Sequence, residues 1–208
     1  MSWETAWSEG RTGWDAGAPV PALVELLESW EGEPGRALVP GAGSGYDALE
    51  LARAGWDVTA LDLAPTAARR FEELRDAQGV SADSARAEVA DFFAWTPAEP
   101  FDLVWDYTFL CAIEPDMREA WADAMWRLIA PGGVLVTLIF PIFDHADGAP
   151  HREGEPGPPY RLHPDIVRGL VAGRFDEAGL YEPTASHPGR EGMELVGRWV
   201  RRAEVEGG

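Results

Sequence analysis

The chain has no lysine: all seventeen of its basic residues are arginine. A P-loop phosphate cradle and a Schiff-base enzyme both require a lysine, so neither chemistry is open to it. Only one cysteine is present, Cys111, which cannot close an internal disulfide and suits a reducing compartment. A basic block is missing too. The arginines are scattered under a formal net charge of −19, which would repel a phosphate backbone and argues against nucleic acid as a partner. No apolar run approaches the ~18 residues of a membrane span. The first residues include Trp3, Glu4 and Trp7, where a secretion signal would need a basic start and an apolar stretch. These absences predict a soluble, cytoplasmic protein that binds neither membrane nor nucleic acid, with a monomer expected. An acidic, arginine-only surface fits either salt adaptation or a GC-rich genome.

With 208 residues, 46% of them hydrophobic, the chain can bury a full core without disulfides, and one domain over 1–208 is expected. No repeat and no polar linker divides it. The hydrophobic periodicity predicts helices over 21–30, 46–54, 65–77, 115–129 and 165–172. Strands are expected over 37–39, 57–62, 85–90, 101–107, 134–140, 181–186 and 193–200, with Pro131-Gly132-Gly133 closing the fourth helix. Such alternation implies a doubly wound, Rossmann-like α/β fold with five parallel-type strands and an antiparallel terminal pair. Residues 144–162, rich in Pro, Gly, His and acids, read as a lid-like loop. His145, His151, Asp144 and Asp147 fall there at spacings that match no ligand pattern, so no metal is expected.

The most specific turn follows the first strand, at Pro40-Gly41-Ala42-Gly43-Ser44-Gly45-Tyr46-Asp47. Glycine at 41, 43 and 45 lets the backbone turn tightly and approach a ligand where a Cβ would collide, although loops also use glycine for geometry alone. The dinucleotide fingerprint Gly-x-Gly-x-x-Gly is not met, because Tyr46 stands where the third glycine should be. The observed spacing favours S-adenosylmethionine over a nicotinamide cofactor. In a methyltransferase of this architecture, an acid ending the second strand holds the ribose and one ending the third meets the adenine. Asp62 and Asp91 stand at those places, each with an alternative role as a strand-end or helix-capping residue.

Two further blocks carry a resemblance. One is Trp3, Trp7 and Gly13-Trp14-Asp15-Ala16-Gly17; the other is Phe101-Asp102-Leu103-Val104-Trp105-Asp106-Tyr107-Thr108-Phe109-Leu110-Cys111-Ala112-Ile113. With the glycine turn, these make the chain resemble the thiopurine S-methyltransferase family from about Trp3 to the final strands. It looks closest to the branch of halide and thiol methyltransferases. That branch typically has cysteine where Ala42 stands here. The thiopurine branch proper has Leu-Cys-Gly-Lys around the turn and usually an arginine at the place of Tyr107, which weighs against thiopurine-like substrates.

The resemblance implies a class I S-adenosylmethionine-dependent methyltransferase with a mostly parallel seven-stranded sheet. It implies that Trp3, Trp7, Trp14, Gly41, Gly43, Gly45, Asp62, Asp91, Phe92 and Asp106 hold the cofactor, with residues 1–30 as a covering segment. It also implies that Tyr107 and Tyr160 line the acceptor pocket. The physical case runs alongside: Trp3 and Trp7 lie four apart on one helix face, and an indole face attracts a cation such as a sulfonium. The same indoles could instead cap the core, and Tyr160, after Pro158-Pro159, could be a rigid turn residue. Cys111 reads as a small buried packing residue.

The expected reaction is in-line methyl transfer to a small soft nucleophile: a halide, hydrosulfide, thiocyanate or small thiol. Such acceptors need no strong base, since they carry no proton or, for a thiol of pKa ~8.5, supply some thiolate unaided. A thiopurine or selenium- and tellurium-type methyltransferase, a noncatalytic cofactor-binding module and an NAD-dependent oxidoreductase remain as alternatives.

Overall fold

Pro21 and Pro65 each open a helix, where proline's fixed φ costs no hydrogen bond, and the apolar runs between the helices become strands. The structure, a computed structural model, describes residues 2–142 and 157–203. Two compact units divide it, residues 1–96 and 97–208.

The first unit contains α1 (Trp3–Ser8), α2 (Pro21–Glu28), β1 (Arg36–Pro40), α3 (Tyr46–Arg53), β2 (Asp57–Asp62), α4 (Pro65–Ala77) and β3 (Ala85–Val89). β1 runs parallel to β2 from Arg36↔Asp57 to Pro40↔Leu61, and β2 runs parallel to β3 from Val58↔Ala85 to Asp62↔Val89. All but the first residue of both β1 and β2 is buried, as expected of strands covered on both faces. Their parallel register brings the glycine turn after β1 to the end of β2, and Ala42 donates from its backbone to the Leu61 carbonyl at 3.0 Å.

In the second unit, β4 (Phe101–Tyr107) is followed by a short 3₁₀ turn (Pro115–Met117), α5 (Arg118–Leu128), β5 (Ile129–Ile139), α6 (Pro164–Val171), β6 (Phe175–Tyr181) and β7 (Leu195–Arg201). β4 pairs parallel with β5, whereas β7 pairs antiparallel with both β5 and β6. Inside this part of the sheet, the fully buried Trp199 gives its indole N–H to Thr137 Oγ1 at 2.9 Å, leaving neither polar atom unpaired. The seven strands take the order β3-β2-β1-β4-β5-β7-β6. This is the expected mostly parallel sheet with an antiparallel terminal pair.

Two strands differ most from expectation. The strand expected over 134–140 starts at Ile129, because Pro131, Gly132 and Gly133 do not end the pairing. They are absorbed as a bulge, with the register jumping from Phe101↔Ile129 to Leu103↔Val134. The strand expected over 181–186 lies earlier, at Phe175–Tyr181. It is the last strand in the order, with Asp176, Glu177 and Ala178 exposed, so an edge position took a polar segment that carries little apolar signal. Most of the lid-like loop expected over 144–162, with His145, His151, Asp144 and Asp147, lies outside the described residues.

Candidate functional site

All three glycines of the turn after β1 sit at positive φ: Gly41 at 60°, Gly43 at 57° and Gly45 at 77°. At Gly45 a side chain is also excluded by space, and at Gly43 it would be tight. A Cβ on Gly45 would lie 2.1 Å from Phe71 Cδ2, and one on Gly43 would lie 3.0 Å from Trp7 Cζ2. Gly43 donates its backbone N–H to Asp62 Oδ2 at 2.9 Å, and Ala64 donates to Oδ1 at 2.8 Å. The turn and the end of β2 are therefore a single hydrogen-bonded piece. Burial raises the Asp62 pKa, opposed by the N–H groups of Ala64, Gly43 and Leu63. A carboxylate has about four lone-pair sites, so these three N–H groups leave it able to accept further. That suits a partly open acid to a diol. Beside it, Leu63 is 59% exposed, a large apolar surface at the end of a buried strand.

The N-terminal indoles gather around this turn. Trp14 packs edge-on against both Trp3 and Trp7, with ring centroids 5.3 and 6.0 Å apart. Trp7 is buried against Ala64 and Ala67, whereas Trp14 is exposed. Arg70 already lies 5.1 Å above the Trp7 ring and donates to the Trp7 carbonyl. A cation is thus in place on that indole, and Trp14 is the tryptophan of the three with most free surface.

Two acids that carried no assigned role in the sequence fasten this segment down. Glu4 accepts from the Thr66 backbone at 3.0 Å and from its hydroxyl at 2.6 Å, capping α4, whose own N-cap Ala64 has no side-chain acceptor. Those two bonds pull the Glu4 pKa below its usual value. Asp15 accepts from the Ser44 hydroxyl at 2.6 Å, inside the glycine turn. Neither pairing had a local signal, since the partners lie 62 and 29 residues apart. After β3, the exposed Asp91 accepts from the Phe93 N–H at 3.0 Å, and Phe92 is buried edge-on to Phe93.

In the second unit the chain turns sharply after β4. Thr108 has φ 61°, a left-handed conformation that is strained for a β-branched residue. Asp106 holds the turn: Oδ1 accepts from Leu110 N–H at 3.0 Å and Oδ2 from the Trp121 indole at 2.8 Å. It is 2% exposed, and burial pushes its pKa up to about 6 against those hydrogen bonds. Cys111 is buried, and burial drives its thiol pKa far up, so it is inert packing rather than a nucleophile. Tyr160 donates its hydroxyl to Glu114 Oε2 at 2.5 Å and its backbone N–H to the Cys111 carbonyl at 2.7 Å.

Tyr107 has a partner that the sequence did not announce. Arg190, from the connection between β6 and β7, donates through Nη1 to the Tyr107 hydroxyl. Its guanidinium carbon lies 5.5 Å from the centroid of that ring and 4.6 Å from the Phe140 ring. In the sequence Arg190 stands in Gly189-Arg190-Glu191-Gly192, a polar, glycine-flanked stretch without periodicity. Among the described residues, no group of three or more His, Cys, Asp or Glu is placed to hold a metal ion, and no helix is long and apolar enough to cross a membrane.

The family model described as thiopurine S-methyltransferase matches residues 1–195. A probable thiol methyltransferase 2 of Arabidopsis thaliana is 41% identical over 204 residues, covering 96% of this chain and 84% of that protein. Thiocyanate methyltransferase 1 of Brassica oleracea is 39% identical over 205 residues, with the same coverage of 96% and 84%. Among solved structures, the 1,6-didemethyltoxoflavin-N1-methyltransferase of Burkholderia thailandensis, with bound 1,6-didemethyltoxoflavin and S-adenosylhomocysteine, superposes with a TM-score of 0.70. It is 20% identical and covers 96% of this chain and 85% of its own, a likeness of fold.

Proposed function

The chain belongs to the thiopurine S-methyltransferase family, and on that premise we propose that it methylates a small soft sulfur nucleophile, a thiol or thiocyanate, with halide as a related acceptor. It is an S-adenosylmethionine-dependent methyltransferase. The observation that carries the acceptor class is the likeness, at about 40% identity over nearly the whole chain, to thiol and thiocyanate methyltransferases.

In this reading the first unit holds the cofactor, which when bound supplies an electrophilic methyl group on a sulfonium sulfur. The Gly41 to Gly45 backbone gives room for the methionine moiety, the remaining lone pairs of Asp62 accept the ribose hydroxyls, and Leu63 offers an apolar face to the adenine. Asp91 and Phe92 stand at the end of β3, where the base edge is expected. Trp14 covers from the N-terminal side, while Trp3 and Trp7 support it and the turn. Asp106 acts by fixing the direction in which the chain leaves β4, because its carboxylate is closed inside the protein. It is a positioning residue, not a cofactor contact.

The acceptor side rests on Tyr107. A thiolate or thiocyanate ion has no proton to remove, so the protein's task is alignment and exclusion of water rather than base catalysis. Neither Cys111 nor Tyr160 is placed to serve as a base: one is buried and protonated, the other gives its proton to Glu114.

The test joins a headspace assay of methylated products, across thiocyanate, hydrosulfide, small thiols and halides, with calorimetry of S-adenosylmethionine. Asp62→Ala is expected to weaken cofactor binding by about tenfold to a hundredfold, the worth of hydrogen bonds to a charged group. Tyr107→Phe is expected to change acceptor preference with cofactor affinity retained. Product from none of these acceptors, with the cofactor bound normally, would overturn the acceptor assignment.

A further inference from the structure

The cluster around Arg190 has the chemistry of an anion site. A tyrosine hydroxyl carries one proton to donate and two lone pairs to accept with. Arg190 donates to the Tyr107 oxygen, which leaves the Tyr107 proton to be given elsewhere. The guanidinium has five N–H groups in a fixed fork, no acceptor, and stays charged at any working pH. Two groups in contact thus present donors and a positive charge.

Among the described residues, no acid forms an ion pair with Arg190 that would cancel this charge. The acid whose charge acts on Arg190 is Glu194, which is 2% exposed, yet neither of its carboxylate oxygens has a hydrogen-bond partner of good geometry among the described residues. Burial raises the Glu194 pKa, opposed by the Ser186 hydroxyl and by the charges of Arg190 and His187. His187 likewise has a buried Nε2 without a partner among the described residues. The contacts Arg190 does make are a phenol oxygen and the faces of Tyr107 and Phe140. Aromatic faces steady a guanidinium without neutralising it. A small, weakly hydrated anion is the ligand such a half-buried cation would take.

We propose that Arg190 and the Tyr107 hydroxyl form the acceptor subsite, which binds the nucleophile as a small monovalent anion: thiocyanate, hydrosulfide or an organic thiolate. This rests on the methyl-transfer reading and makes it more specific. In the transfer, a lone pair of the anion forms the bond to the methyl carbon. The bond from that carbon to the sulfonium sulfur breaks with its electrons staying on sulfur, so two opposite charges vanish and no proton moves. Arg190 holds the charged form of the acceptor in place before the step, and its hold weakens as the charge is lost, which favours release of the neutral product.

The test titrates thiocyanate, and iodide as a second probe, into the wild-type complex with S-adenosylhomocysteine, where no turnover occurs, and follows the heat of binding. Arg190→Met keeps an apolar stem over the Tyr107 and Phe140 rings and removes the charge. It is expected to weaken binding of both anions at least tenfold, with S-adenosylhomocysteine affinity unchanged. Arg190→Lys, which restores a charge without the fork, is expected to recover part of the loss. Anion affinity within twofold of wild type in Arg190→Met, or no binding of either anion by wild type, overturns the proposal. Should Arg190→Met not fold, Tyr107→Phe decides, since it removes only the hydroxyl: unchanged anion affinity there overturns the proposal, and a several-fold loss supports it. The readout is independent of product formation. Arg190-dependent anion binding in a protein that methylates none of the acceptors would sustain the subsite and remove the proposed function. Product formation with no Arg190 dependence would do the reverse.

Discussion

Asp62 ends β2 and Asp106 stands one residue before the end of β4, one in each unit, and both are buried acids with raised pKa values. Their partners differ. Asp62 accepts from Gly43 and Ala64, backbone groups of the glycine turn and of its own strand end, and is 9% exposed. Asp106 accepts from a backbone group and the Trp121 indole and is 2% exposed. One acid keeps a side toward solvent and suits a ligand; the other is closed on all sides and directs the chain that follows it. The residue type at a strand end does not settle its role, and the partners already in place do.

The largest effect is expected where the first unit has no room. A side chain at Gly45 meets Phe71 at 2.1 Å and must also adopt φ +77°. Overpacking costs about 1–3 kcal/mol and a left-handed backbone about 1–2 more. Gly45→Ala should therefore lower the unfolding midpoint by about 10 °C for a chain of this size. Thermal unfolding of Gly45→Ala, Phe71→Ala and the double variant checks it. The double variant should be less destabilised than the sum of the singles, because removing the Phe71 ring relieves the clash. Additive losses would show that the turn and α4 are not coupled as described.

The second expectation separates the two acids by pH. The Asp106 pKa is about 6 in the folded state against 3.8 for the free group, so the folded state binds the extra proton. A raised acid pKa means that the stability this group contributes is present at low pH and falls as pH rises from about 4 to above 6. At ~1.4 kcal/mol per unit, the change is about 3 kcal/mol. Asp106→Asn cannot titrate. The difference in unfolding free energy between wild type and Asp106→Asn should drift by most of that amount, about 2 kcal/mol, between pH 4 and pH 7, in the variant's favour at higher pH. A flat difference would show that Asp106 is already charged at pH 4 and that its closed setting is not as apolar as its exposure implies.

The cofactor side was the more legible because its parts are local. Gly41, Gly43 and Gly45 lie within one turn, Asp62 lies at the end of the next strand, and the parallel register of β1 and β2 brings the two together without further information. Strand ends and helices in this half lie within two residues of expectation, the largest difference being α2, which stops at Glu28 instead of running on to position 30. The second unit is less legible. Its sheet absorbed Pro131-Gly132-Gly133 as a bulge, and its edge strand is polar enough to lack the alternation that marks a half-buried strand. The Tyr107 and Arg190 pair joins residues 83 apart, and nothing in the local pattern around Arg190 distinguishes it from a solvated loop arginine. The tryptophans were legible as a group. The exposed surface of Trp14 and the Arg70 cation over Trp7 needed tertiary structure.

The smallest effect tests how far the two tyrosines of the second unit resemble each other. Both were expected to offer hydroxyls to the acceptor, yet their hydroxyls face opposite partners. Tyr107 accepts from a cation, which leaves its proton free to give, whereas Tyr160 gives its proton to the Glu114 carboxylate, which raises its pKa. A hydroxyl already donating to a carboxylate is a poor donor to an anion, since its one proton is taken and the neighbouring charge repels the ligand. Tyr160→Phe should thus cost about 1 kcal/mol of stability, the usual net worth of such a bond, and change the KM for thiocyanate by less than about twofold. Tyr107→Phe should do the opposite, leaving stability nearly unchanged and raising that KM several-fold. Steady-state kinetics with thermal unfolding on both variants checks the pair. If Tyr160→Phe raises the thiocyanate KM as much as Tyr107→Phe does, Glu114 must release the Tyr160 proton when the acceptor arrives, and the division between a donor tyrosine and a structural one fails.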